Sequence, residues 1–140
     1  MGDHEGLTEH LRAQLAASPF HSWAGMSVLD ARPGEAEIAL DAEPHHRNLQ
    51  GLLHGGMIAT LADTAAGIAV RTKLAPGRSH VTVSLAVHYL RPGAPGRIVG
   101  RGRVLRLGRS LAHATADVMD AEGRLLATAN ATIALGGEAS

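Results

Sequence analysis

Residues 48–70 read NLQGLLHGGMIATLADTAAGIAV. The segment opens on an Asn and a His-Gly-Gly, then runs as small and apolar residues with one carboxylate, Asp63, in the middle. Wound as a helix from about Gly55 to about Lys73, it shows Ala, Leu, Ile and Met around most of its circumference. A helix apolar on nearly all sides belongs in the interior. The rest of the chain must therefore enclose it. Downstream, HVTVSLAVHYL (80–90) alternates: Val81, Val83, Leu85, Val87 and Tyr89 face one way, Thr82, Ser84, Ala86 and His88 the other. RPGAPG breaks that strand. RIVGRGRVLRLGRS, LAHATADVMD and RLLATANATIAL read as further strands, with DAEG as a turn. Upstream, AGMSVLDARPGEAEIALDAE holds two extended runs around Arg32-Pro33-Gly34, a hairpin signal. EPHHRNLQG reads as a polar loop. Before the hairpin, LTEHLRAQLAA (7–17) spaces Leu7, Leu11 and Leu15 four apart, a short amphipathic helix ended by Ser18-Pro19.

The order is helix, two strands, a long buried helix, then four strands. Strands joined by short turns pair antiparallel, and a sheet that follows one apolar helix must wrap it. The expected class is α+β, a long central helix wrapped by a curved antiparallel sheet. Residues 1–19 form a helical lead-in and 20–137 a single domain. A chain of 140 residues suits one core. Acids and bases balance at 13 each, so net charge points to no partner, and the absence of cysteine excludes disulfides and thiolate metal sites. Phe20, Trp23 and Tyr89 are the only aromatics, so Ala, Val, Leu and Ile must build the core. No stretch is apolar for long enough to span a membrane. The N-terminal MGDHEGLTEHL lacks the basic-then-apolar pattern of a secretory signal and the Ser or Thr of a myristoylation site. A cytoplasmic protein with no membrane partner is expected.

Gly55-Gly56 at a helix start leaves the first backbone N–H groups approachable, with no Cβ in the way. The helix dipole makes that end partly positive. Such a place suits an anion, or a carbonyl oxygen becoming an oxyanion. Alone, Gly-Gly says no more than that a tight turn enters a helix. Asp63 says more. Its helical neighbours at three and four residues are Ala59, Thr60, Ala66 and Gly67, none of which forms an ion pair. A carboxylate in apolar surroundings must be hydrogen-bonded, reach a cleft or become protonated. A structural acid bonded to a hydroxyl or the backbone meets that demand; a functional acid is favoured, because perturbed carboxylates concentrate at sites. Gly55 and Asp63 are separated by ~12 Å of helical rise. An oxyanion donor and a base must lie within about 3 Å of adjacent reacting atoms. One helix cannot serve one carbonyl with both, but two antiparallel copies can. If these residues are catalytic, a symmetric dimer with composite sites follows.

HRNLQGLLHGGMIATLADTAAGIAV resembles the Asn…His-Gly-Gly…Asp signature of hotdog-fold acyl-CoA thioesterases of the phenylacetic-acid-degradation (PaaI-like) type. HVTVSLAVHYLRPG is similar to the strand that follows in that family, and LGRS to a later strand start. The likeness covers roughly residues 20–135 and implies a hotdog fold that dimerises edge to edge, commonly into a dimer of dimers, a homotetramer. It makes Asp63 the catalytic carboxylate, as general base on water or as nucleophile. The Gly55 N–H polarises the thioester carbonyl, with Gly56 beside it as a substrate contact. Asn48 holds that carbonyl or its water. Thr82 falls where many relatives place a Ser or Thr that orients the water. His54 serves as a base or, in the role the family motif gives it, as part of the turn. Dehydratase relatives pair a His with a helical Glu; here the helix acid is Asp and no acid adjoins His54, which speaks against dehydration.

Other patterns carry less. His45, His46 and His54 match no metal-ligand spacing and have no carboxylate beside them, so no metal and no cofactor is expected beyond the coenzyme A of the substrate. GRGRVLRLG lacks the third Gly of a dinucleotide loop and lies between strands. Ser84 and His88, about 13 Å apart along a strand, are too distant to pair. Residues 91–109 hold Arg91, Arg97, Arg101, Arg103, Arg106 and Arg109 and no acid. This is a solvated strand face or a phosphate-binding strip. Arg91 and Arg109, the latter with Ser110, are the candidates for the phosphates of coenzyme A. Nucleic acid is disfavoured by the neutral balance and the lack of stacking aromatics among the arginines. Two functions stand: a thioesterase acting on an aryl- or medium-chain acyl-CoA, with Ala62, Ala65 and Ala66 leaving room for the acyl group, and a non-catalytic acyl-CoA-binding hotdog, a sensor or scaffold. The complete Asn48–Gly55–Asp63 set favours the enzyme, since binding alone has no need of the acid.

Overall fold

The computed structural model describes residues 2–137. In chain order it contains α1 (Gly2–Ala17), α2 (Pro19–Ala24), β1 (Met26–Arg32), β2 (Glu35–Ala42), a 3-10 turn (Pro44–His46), α3 (Gly55–Arg71), β3 (Ser79–Tyr89), β4 (Gly96–Leu107), β5 (Leu111–Met119) and β6 (Leu125–Gly136). The strands form one sheet in the order β1-β2-β4-β5-β6-β3, with every pair antiparallel. The arrangement is the hotdog expected from the sequence: α3 is enclosed by the curved sheet.

Small residues on both partners let α3 lie close to the sheet. Ala62, Ala65, Ala66 and Ala69 of the helix face Ala112, Ala114, Ala116, Ala127, Ala129 and Ala131 of the strands, all of them buried. Leu61, Ile38, Ile98, Leu126 and Ile133 fill the space between, each burial contributing roughly 1.5–3 kcal/mol. The closest approach is at β4. A Cβ on Gly102 would sit 2.1 Å from the Ala65 carbonyl oxygen, and one on Gly100 would sit 2.9 Å from Leu61 Cγ. The glycines of GRGRV are thus where the helix rests on the sheet. The helix ends at Arg71 rather than Lys73 because Thr72 caps it: the Thr72 hydroxyl donates to the Ala69 carbonyl at 2.6 Å and accepts the Gly34 N–H at 2.8 Å.

The two sheet edges are treated differently. α1, which starts earlier than the Leu7–Leu11–Leu15 pattern indicates, lies along β1. Thr8 donates to the Ala31 carbonyl at 2.9 Å and accepts its N–H at 3.0 Å, and Arg12 donates to the Val28 and Leu29 carbonyls. The β1 edge is occupied by these side chains. β3, at the other edge, has no such cover among the described residues, and exposes Val81 (62%) and Val83 (59%).

Further sequence expectations need correction. Ala62, Ala65 and Ala66 leave no room for an acyl group, because they are fully buried where the helix packs on the sheet. Ser18-Pro19 ends α1 but also starts α2, since Pro suits a first helical position, where its missing N–H is not needed. β3 does not alternate strictly. Its register against β6 shifts between Thr82 and Ser84. This bulge turns His80 and Thr82 toward α3 ahead of it and Leu85 and Val87 inward after it, leaving Val81 and Val83 outside.

Candidate active site

α3 runs antiparallel to β3, so three levels of the helix meet three levels of the strand. Gly55 meets Tyr89, Asp63 meets Thr82, and Gly67 meets His80.

At the helix N-terminus, His54 is the N-cap and its Nδ1 accepts the Gly56 N–H at 2.8 Å. That bond fixes His54 in the turn and leaves Gly56 with no free N–H for a ligand. The Gly55 N–H, at the first helical position, finds no acceptor among the described residues. Tyr89 supports this end: its hydroxyl donates to the Gly55 carbonyl at 2.7 Å, and its ring lies 3.4 Å from where a Gly55 Cβ would be. Asn48 Oδ1 accepts the N–H groups of Gln50 and Leu52 at 2.8 and 3.1 Å, which leaves the side-chain NH2 free to donate. Asn48, Gly55, Ile58, Tyr89 and Arg91 share one open cleft of about 320 Å³.

Asp63 does not line that cleft. Two turns along α3 and half-buried, it is held by Thr82, whose hydroxyl donates to Oδ1 at 2.7 Å. Oδ2 takes no hydrogen bond among the described residues. His80 sits a further turn along. Burial chiefly, and Arg71 secondarily, hold its imidazole below the ordinary value, while Asp63 pulls the other way.

One chain therefore holds the expected site residues in two separate groups. Asn48 and Gly55, the donors, are together with Arg91; Asp63 and Thr82, the acid and its support, are together elsewhere. Arg109 and Ser110 belong to neither. They lie in the β4–β5 turn, where Arg78 donates to the Arg109 carbonyl, beside the start of β3, whereas Arg91 follows its end. The arginine strip is itself divided: Arg97 pairs with Asp41 and Arg101 with Glu37 across β2 and β4, while Arg91, Arg103 and Arg106 have no carboxylate partner among the described residues. Of the histidines weighed for metal, His45 and His46 have ring centres 4.0 Å apart, and His54 has its Nδ1 taken by the Gly56 N–H. Among the described residues no group of three or more His, Asp or Glu converges on a metal position. No helix there is long and apolar enough to cross a membrane. Tyr89 has no role in the sequence reading beyond its strand face, and His80 has none. The available signals were a lone aromatic at the strand end and a His two residues before Thr82.

The chain is similar to known proteins. A thioesterase superfamily model matches residues 50–127. Human acyl-coenzyme A thioesterase 13 is 33% identical over 94% of this chain and 96% of its own. A medium/long-chain acyl-CoA thioesterase of Escherichia coli is 29% identical over 84% of this chain and 86% of its own. A variant of the phenylacetic acid degradation protein PaaI of Thermus thermophilus superposes with a TM-score of 0.77 at 34% identity, covering 84% of this chain and 98% of that one.

Proposed function

Because the chain belongs to the thioesterase superfamily, with the hotdog fold and the PaaI-like motif, and is a thioester hydrolase, we propose that it hydrolyses acyl-CoA, an aryl- or medium-chain acyl-CoA in particular, in sites built from two subunits. The observation that carries this reading is the Thr82–Asp63 hydrogen bond. It fixes one carboxylate oxygen and leaves the other free to act, on a helix whose N-terminus offers a bare N–H.

The half-sites are separated by ~12 Å of helix, so a second copy must complete each. β3 supports that pairing. Its edge is open while the β1 edge is filled by Thr8 and Arg12. Thr82 lies toward the start of β3 and Tyr89 at its end. A two-fold axis through the strand brings the Asp63 end of one copy to the Gly55 end of the other. Two such dimers then assemble further, as the family resemblance implies.

In the composite site the thioester carbonyl oxygen accepts the Gly55 N–H, with Asn48 as second donor. The helix dipole stabilises the charge that develops there. Asp63 takes a proton from water as the water oxygen bonds to the carbonyl carbon. Collapse of the tetrahedral adduct breaks the C–S bond, and the coenzyme A thiolate leaves with the electron pair and takes up the proton that Asp63 removed from water, which returns Asp63 to the carboxylate. Arg91, in the same cleft as Gly55, meets the phosphates of coenzyme A. In the alternative route Asp63 attacks the carbonyl itself and water hydrolyses the resulting anhydride. A single turnover in heavy-oxygen water tests this route: label in the Asp63 carboxyl requires the anhydride, since a general base leaves that carboxyl unlabelled.

The deciding variant is Asp63→Asn, nearly isosteric but a poor base and nucleophile. Thiol release from a panel of aryl, medium and long acyl-CoA substrates should fall at least ~100-fold, the lower range for acid–base catalysis, with the melting temperature retained. Near wild-type turnover in this variant would make Asp63 a structural acid. The same panel, on the wild type, identifies the acyl group.

A further inference from the structure

Ahead of its bulge β3 turns two polar side chains toward α3, and Asp63 accounts for one of them, Thr82. The other is His80. Its half-buried ring makes no hydrogen bond among the described residues. It packs over Gly67, with Cε1 3.5 Å and Nδ1 3.8 Å from where a Cβ would stand. Asp63, Gly67 and Arg71 recur every four residues and so share one helix face. The imidazole covers the middle of that row, between the acid and the guanidinium. Arg71 is turned partly away, its Nε donating to Gln14 at 3.1 Å.

A polar ring aimed inward with no protein partner has its hydrogen-bonding capacity left for something mobile. Arg71 and Asp63 are the charged groups that act on the ring; Arg71 is bonded to Gln14, and Asp63 has its Oδ1 filled by Thr82 and its Oδ2 open. We propose that His80 is a second ligand of the attacking water, a ring nitrogen that holds the water on Asp63 Oδ2 with its lone pair directed at the thioester carbonyl. The inference rests on the reading of Asp63 as the acting carboxylate. His80 takes no net proton in the step: the water proton passes to Asp63, and His80 contributes orientation. Burial and Arg71 favour the neutral ring, which offers both a donor and an acceptor to a water molecule.

The test compares His80→Leu with His80→Gln in thiol-release assays, with melting temperature as control. Loss of one orienting hydrogen bond predicts a kcat about 10-fold lower for His80→Leu, at little-changed KM. His80→Gln, whose amide also binds water, should keep most of the wild-type kcat. In the Asp63→Asn background, His80→Leu should add almost nothing, because both act on one water. A third variant, His80→Ala, should regain turnover when free imidazole is added, a readout that packing alone does not move. Wild-type kcat in His80→Leu, equal losses in the Leu and Gln variants, or no imidazole rescue would overturn the proposal. Failure of the Asp63 reading shows separately, as activity surviving in Asp63→Asn.

Discussion

His46 illustrates what a single side chain contributes here. It belongs to a stretch that reads as a polar loop, yet it is 2% exposed. Its Nδ1 accepts the Glu43 N–H at 2.9 Å, so Nε2 carries the hydrogen, and that N–H has no acceptor among the described residues. Its carbonyl accepts the His54 N–H at 2.8 Å, which ties it to the N-cap of α3. Burial first, then the neighbouring His45, holds the imidazole below its ordinary value of 6.5. The unfolded chain therefore binds the extra proton more readily than the folded one. Stability contributed by neutral His46 is full above that value and is lost as pH falls below it toward the depressed folded value. His21 and His80 are shifted the same way. On moving from about pH 7.5 to about pH 5.5 the urea midpoint of the wild type should drop, and the drop should be smaller in His46→Gln. An unchanged pH dependence in that variant would remove His46 from the account.

At the scale of elements, the contact of β4 with α3 is the least forgiving. Gly102→Ala places a methyl against the Ala65 carbonyl, a backbone atom that cannot rotate away. Overpacking of this kind costs about 1–3 kcal/mol or more, and a lowered melting temperature checks it. A melting temperature equal to wild type would mean the helix shifts without penalty. The sequence shows why some elements are legible and others not. α3 announces itself because its apolar residues run on all sides, and Asp63 stands out against them. The motif around Asn48, Gly55 and Asp63 is local, so it reads directly. The bulge at Val83 is invisible: Val81 to Tyr89 alternate without a fault, and only pairing with β6 shows that the face changes. For the same reason the inward turn of His80 is hidden while Thr82 is found through resemblance. α2 is missed because Pro reads equally well as a stop and as a start. The glycines of β4 have meaning only once a helix is known to lie against them.

For the whole molecule, the open β3 edge and the divided half-sites make one claim, that activity requires two chains. Asp63→Asn damages one half. Asn48→Ala with Gly55→Pro damages the other, and Pro is compatible with the turn, since it suits a first helical position and His54 before it is already extended. In a mixed dimer one site collects both lesions and the other collects neither. Refolding the two folded, inactive variants together should restore about one quarter of wild-type activity for random pairing of independent sites. Well-mixed heterodimers as inactive as their parents would mean that Asp63 finds its carbonyl within its own chain.

Phe20, Trp23 and Tyr89 are 50%, 59% and 52% exposed, so no Phe, Trp or Tyr lies in the interior. The molecule is therefore optically silent where it is most tightly packed. Near-ultraviolet dichroism and intrinsic emission report the surface around α2, the 3-10 turn and the end of β3, not the interior. Trp23 lies 5.4 Å from His45 and 6.0 Å from His46, ring centre to ring centre, and His46 is bonded to the cap of α3. Its emission is thus a native reporter of that helix entrance, and a thermal melt followed by fluorescence dates the opening of this corner while the backbone signal dates the collapse of the rest.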